Sequence, residues 1–184
     1  MFDPASLAIL SDRETLLKQS ALKQTLIHAL HQLADSYEAR WKSLHLPSKH
    51  RKVTHGENLQ GLPWHLLDFP AQISKESILT MRTLIWWGKS VNSYFLLSGK
   101  ALATHQQLYE RLDPLCDRDY ALFLQKDPWT HDFDHPETKV LLSDNSVNPH
   151  PFFKIGKSIP FDTKKDIQNQ LLEHFEDYIS LLTK

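Results

Sequence analysis

The chain has 184 residues and carries 21 Lys plus Arg against 22 Asp plus Glu, for a net charge of -1. It therefore projects no long-range field toward nucleic acid or an anionic bilayer, and neither is expected as a partner. Its length suits one domain, residues 1–184, that buries roughly two-thirds to 70% of its unfolded surface. The lone cysteine, Cys116, excludes an internal disulfide and fits a reducing compartment, so the expected location is cytoplasmic.

The opening segment, MFDPASLAILSDRE, has an apolar stretch but no cationic region before it and acidic residues on both sides, unlike a secretory signal. From Asp12 to Ser43 no Pro or Gly interrupts the chain. Leu22, Leu26, Ala29, Leu30, Leu33, Tyr37 and Trp41 recur there at steps of three and four, which predicts a long amphipathic helix. His28, His31 and Asp35 share a face away from that stripe, as solvated side chains or an adventitious metal contact. Lys49-His50-Arg51-Lys52 is the one basic run, and four residues in a near-neutral chain read as a solvated loop.

Leu46 to Ile73 is rich in Pro, Gly, Asn and Ser, so irregular backbone is expected, pinned to the core by Leu66, Leu67 and Phe69. Ser74 then caps an almost wholly apolar central helix over 74–97, ended by Gly99. Arg82, Lys89 and Asn92 lie near the middle of its apolar run, Ile78 to Leu97. Each charge would cost about 2.5–3.5 kcal/mol in hydrocarbon, so the run is a core element and not a membrane span. Gly88 is expected to permit close helix packing.

At about 100° per residue, Lys75, Arg82, Trp86, Lys89 and Ser93 form one stripe of that helix, while Leu84, Val91 and Phe95 face away. A partly buried Arg82 must find an acceptor, and Asp68 is the candidate. In the functional reading, Arg82, Trp86 and Lys89 meet Trp64, His65 and Asp68 of the 63–70 turn and line a pocket for a small anionic or planar ligand. In the structural reading, Arg82 only anchors the turn to the core.

Further helices are expected over Lys100–Leu112 and Arg118–Gln125, the second started by Asp117 and stopped before Pro128. Cys116 sits among Asp113, Asp117 and Asp119, which would raise its thiol pKa and argues against a nucleophile. The segment Trp129–His135 places two imidazoles and two carboxylates close together. His131, Asp134 and His135 are the proposed ligands of a transition metal, with Asp144 or His150 completing the set. That defines the competing function, a metal-dependent hydrolase or oxygenase. The spacing is not that of a helical HExxH site, and Asp or His beside Pro is ordinary turn chemistry.

Pro128, Pro136, Pro149 and Pro151 with several Asp and Asn make regular structure sparse over 127–151. PFFKIGKSIPF accommodates one short strand, and its Gly156-Lys157-Ser158 lacks the upstream glycine of a phosphate-binding loop. Asp162 or Thr163 is expected to cap a final helix with Ile167, Leu171, Phe175, Tyr178 and Leu182 on one face. His174 on that face predicts a buried imidazole that needs a partner. With few strand signals, the expected fold is mainly α, an irregular helical bundle of four to five helices with long ordered loops and at most a short strand or hairpin. Five Trp and nine Phe also allow a self-association surface, hence a homodimer.

Overall fold

A computed structural model describes residues 3–46, 49–116, 118–142, 150–162, 164 and 166–183. These residues do not form a helical bundle. They build an eight-stranded antiparallel sheet flanked by two long helices. In chain order the elements are α1 (Pro4–Ser11), α2 (Arg13–Ser43), β1 (Lys52–Leu59), β2 (Leu62–Asp68), β3 (Gln72–Ile73), β4 (Ser77–Trp86) and β5 (Ser90–Ser98). There follow α3 (Gly99–Thr104), 3₁₀ turns at Gln106–Arg111 and Asp113–Leu115, β6 (Ala121–Phe123), β7 (Thr138–Val140), β8 (Phe152–Pro160) and α4 (Ile167–Leu182). The strand order is β1-β2-β4-β5-β8-β6-β7, with β3 beside the first half of β4.

The segment expected to be the central helix is instead the β4–β5 hairpin, paired from Ile78–Ser98 to Trp86–Ser90. The run is rich in Ile, Thr, Val and aromatic residues, which pack well on a pleated surface. Both faces of these strands are covered, so successive side chains are apolar whichever way they point. A strand buried on both sides shows no alternation and cannot be told from a buried helix by periodicity. Gly88 does not serve helix packing. It holds φ 69° in the tight turn, where the Lys89 N–H donates to the Trp86 carbonyl at 3.0 Å, and that third position of a type II turn demands positive φ.

One face of the sheet carries Leu79, Met81, Ile85, Phe95, Leu97, Phe153, Ile155 and Ile159 into the main core, against α2 and α4. Tyr37 of α2 and Phe175 of α4 stack there at 3.9 Å between ring centres. The opposite face carries a smaller core of Leu66, Leu84, Trp86, Tyr94 and Phe123. The loop between β6 and β7, residues 124–137, roofs part of that face through Phe133.

The other expectations divide along the same line. α2 spans Arg13–Ser43, with the Asp12 side chain accepting from the Thr15 N–H at 3.0 Å. α4 is present over Ile167–Leu182, but its cap is Asp166 rather than Asp162, and Thr163 lies outside the described residues. The expected irregular segment 46–73 holds β1, β2 and β3; the expected helix 118–125 holds β6; and the helix over 100–112 is reduced to α3 and a 3₁₀ turn. Asp117 and Asp144 also lie outside the described residues. β8 is not a short accessory strand but a nine-residue strand between β5 and β6. No helix among the described residues is long and apolar enough to cross a membrane.

Candidate functional site

The antiparallel register of β2 with β4 sets Asp68 opposite Arg82 and Trp64 opposite Trp86. All four side chains therefore share the roofed face. The Arg82 Nε donates to Asp68 Oδ1 at 2.8 Å and its Nη2 to Oδ2 at 2.9 Å. The Thr80 hydroxyl adds a third bond to the same carboxylate at 3.1 Å. Asp68 is 2% exposed, and a carboxylate so deep in the protein is tolerated because a bidentate guanidinium neutralises it.

The guanidinium reaches the roof with its remaining nitrogen, where Nη1 lies 2.9 Å from Nε2 of His131. On the other side of the imidazole, Nδ1 lies 3.1 Å from Nζ of Lys154. Lys154 comes from β8, is 1% exposed, and donates to the carbonyls of Pro128 at 3.0 Å and of Thr130. The Tyr94 hydroxyl donates to the His131 carbonyl at 2.8 Å, and Trp129 covers Arg82 with its ring centre 4.7 Å from the guanidinium carbon. Gly156 opposite Tyr94 makes this packing feasible, since a Cβ there would lie 2.7 Å from the Tyr94 ring.

Donor counting fixes the protons. A guanidinium only donates, so His131 Nε2 is an acceptor, and a neutral imidazole then carries its hydrogen on Nδ1. That hydrogen points at Lys154 Nζ, which must offer a lone pair. Lys154 is accordingly a neutral amine whose two N–H groups go to two backbone carbonyls. The electrostatics agree: burial, reinforced by the Arg82 charge, pushes the Lys154 ammonium down to about 6. Burial, with the Arg82 charge behind it, holds His131 well below the usual imidazole range. Asp68, Arg82, His131 and Lys154 form a continuous polar thread across the sheet with no net charge.

Beside this thread opens a cleft of about 450 Å³. Trp86 and Phe133 supply aromatic walls, and Asn92, Ser90 and Ser158 supply polar groups; His131 also lines the cleft. Asn92 is 1% exposed and its Oδ1 accepts from the Ser90 hydroxyl at 3.0 Å. Charges sit at the rim: Lys89, whose Nζ rests 3.9 Å from the Trp86 ring centre and 2.8 Å from Gln60 Oε1, with Asp132 and Asp134.

No family model matches this chain, and neither does any curated protein or solved structure. The geometry alone has to carry the functional reading.

The two constellations that the sequence presents as rivals meet in one place, because the Arg82–His131 bond joins them. Trp86, Lys89, His131 and Asp134 border the same cleft. Trp64 lies nearby but covers Gly56, whose hydrogen faces the indole. His65 is on the opposite face, where its Nδ1 accepts from the Trp87 indole N–H at 3.1 Å and its ring stacks on His55. His135 turns away from His131 and accepts the Glu137 N–H at 3.1 Å. His150 Nδ1 lies 3.3 Å from the Phe152 carbonyl. Both nitrogens of His131 are engaged by basic side chains, and no three His, Cys, Asp or Glu among the described residues are grouped to hold a metal ion.

Two contacts were beyond sequence reasoning. Lys154 gave only a faint signal, a single lysine in the apolar stretch Phe152–Ile155. Ser93, placed with Arg82 by helical spacing, faces α4 and lies 2.8 Å from His174 Nδ1 and 2.9 Å from the Tyr178 hydroxyl. His174 is held down to about 4, mainly by burial. Ser93 and His174 are 2% and 5% exposed, so this pair ties α4 to the sheet rather than meeting a substrate.

Proposed function

We propose that the protein is a small-ligand-binding domain, cytoplasmic as its composition suggests, and that the ligand is a planar, uncharged or weakly cationic molecule lodged in the cleft beside His131. One observation carries the proposal: the cleft sets the aromatic rings of Trp86 and Phe133 beside the hydrogen-bonding side chains of Ser90, Asn92 and Ser158. Such a wall-and-anchor lining suits a ligand whose carbonyl or ring nitrogen takes a hydrogen bond from those side chains. Trp86 and Phe133 favour a flat partner.

An anionic ligand has less support. The expected anchor, Arg82, is already neutralised by Asp68, and Lys89 is outnumbered at the rim by Asp132 and Asp134. The metal-enzyme alternative draws no support from His131, whose nitrogens face Arg82 and Lys154.

Ligand-observed NMR with a panel of planar heteroaromatic amides and purines tests the reading. Binding to the wild-type chain, weakened at least tenfold by Asn92→Leu and by Phe133→Ser with the fold intact, is the expected result. Absence of binding at millimolar probe, or equal binding by both variants, overturns it.

A further inference from the structure

Lys154 is 1% exposed, yet ligand binding in the cleft makes no direct use of it. Its Nζ has three polar neighbours, the Pro128 and Thr130 carbonyls and Nδ1 of His131, and a neutral amine meets them with two hydrogens and one lone pair. The thread therefore has no spare acceptor. A third hydrogen on Lys154 points at the hydrogen already on Nδ1. If the imidazole yields by moving that hydrogen to Nε2, it meets Nη1 of Arg82 at 2.9 Å, which only donates. An imidazolium in the same place repeats the second conflict.

We propose that one proton taken up by the thread turns the His131 ring out from between Arg82 and Lys154 and into the cleft, so that the cleft is open to a ligand at neutral pH and filled by its own histidine in acid. The ring can leave while the roof stays. The Tyr94 hydroxyl donates to the His131 carbonyl at 2.8 Å and the Thr138 hydroxyl to the Asp132 carbonyl at 3.0 Å, and a charged Lys154 holds the Pro128 and Thr130 carbonyls more tightly than a neutral one. His131 is only partly buried and already borders the cleft, so turning its side chain does not require the core to open. In the cleft the ring exchanges Arg82 and Lys154 for Asp132 and Asp134, surroundings that favour its charged form and draw a second proton after the first.

The groups packed against Lys154 set the range over which this happens. Burial is the main reason that the amine is pushed down, to about 6. Arg82 of β4 adds repulsion, offset by its own pairing with Asp68, and Asp127 of the roof acts the other way. Tyr94 of β5 and Phe123 of β6 set their ring centres 4.7 Å and 4.6 Å from Nζ, and Tyr94, held well above 10 by burial, stays un-ionised. The ring therefore leaves on the acid side of neutrality. Gating of a ligand rests on the reading of the cleft as its binding site, whereas the ring motion is observable with no ligand present.

Long-range proton–nitrogen correlation on the uniformly labelled full chain, from pH 8 to pH 5, is the test, with His131 assigned by the signals lost in His131→Gln. At pH 8 the expected ring is neutral, carries its hydrogen on Nδ1 and gives nuclear Overhauser contacts to Tyr94, whose ring centre is 4.9 Å away. At pH 5 the expected ring is an imidazolium that has lost those contacts. A ring that keeps its Tyr94 contacts at pH 5, in either charge state, overturns the proposal, and so does a hydrogen on Nε2 at pH 8. The double variant Asp68→Asn, Arg82→Gln removes the fixed donor together with its counter-charge, so Lys154 can donate to Nδ1 and the ring should keep its Tyr94 contacts at pH 5. Loss of the contacts at the same pH as in the wild type would show that Arg82 does not drive the ring out; if the variant does not fold, the wild-type transition decides alone.

Discussion

Nζ of Lys154 lies 3.1 Å from Nδ1 of His131 and accepts its hydrogen, so a lysine serves as a base in the interior of this sheet. Its ammonium form is pushed down to about 6 from an ordinary 10.5. Between those values the unfolded chain binds a proton that the native chain does not, so stability rises with pH across the window. The tyrosines buried in this protein titrate above their ordinary value of 10, so the clean range to measure is pH 6.5 to 9. Urea unfolding should gain a few kcal/mol over that range in the wild-type chain. Lys154→Met should flatten the slope; equal slopes in the two chains would show that Lys154 is charged.

His174 acts at lower pH. Its imidazole is held down to about 4 from 6.5, so the unfolded chain gains the proton first, and stability falls as pH drops from 6.5 to 4. The loss should reach a few kcal/mol and persist in Lys154→Met, since the two groups lie on opposite faces of the sheet. Replacing His174 with Gln, which can still bond the Ser93 hydroxyl, should reduce the acid-side slope and leave the part that His131, also held below the usual imidazole range, contributes. An unaltered slope in that variant would assign it elsewhere.

Asp68 and Arg82 form a buried pair, and breaking one side of such a pair leaves an uncompensated charge. Arg82→Met alone should destabilise the protein by about 3–5 kcal/mol. The double variant Asp68→Leu, Arg82→Met should cost clearly less than the sum of the two single changes, with a coupling of about 1–3 kcal/mol in a denaturation cycle. Strict additivity would mean that the two side chains do not interact in solution.

Two glycines should respond differently to alanine. A Cβ at Gly156 meets the Tyr94 ring at 2.7 Å and the Ser93 carbonyl at 2.8 Å, and overpacking against backbone should cost about 2–3 kcal/mol. It should also displace the Tyr94 hydroxyl from the His131 carbonyl and speed amide exchange over residues 129–135. A Cβ at Gly88 meets only Leu62, at 3.9 Å. The positive φ is then the whole penalty, about 1 kcal/mol. Similar costs at the two positions would contradict the packing described for β8.

The occupation of both His131 nitrogens by Arg82 and Lys154 leaves no lone pair for a cation. Exhaustive dialysis against a chelator should therefore leave the thermal midpoint unchanged within about 1 °C, well under the shift produced by 1 kcal/mol. A drop of several degrees that is absent in His131→Ala would make His131 a ligand.

The sequence made the helices legible where one face is wet. α2 and α4 each alternate between sheet and solvent, and their stripes read directly. β4, β5 and β8 are covered on both sides, and their pattern gives no such contrast. The site was half legible by a numerical coincidence. Arg82 and Trp86 are four apart, a spacing that puts them together on a helix and on a strand alike, whereas His65 and Ser93 fall an odd number of positions from them in register and end on the far face. The Arg82–His131 and His131–Lys154 contacts join residues 49 and 23 positions apart, beyond any local pattern.

The polar thread also has a direction. Arg82 can only give hydrogens, to Asp68 on one side and to His131 on the other; His131 must then give to Lys154, and Lys154 to the roof carbonyls of Pro128 and Thr130. One guanidinium in β4 thus dictates the tautomer of a ring in the roof and the charge of an amine in β8, two strands away in the sheet. An acceptor-capable residue in its place would free every later proton to reverse.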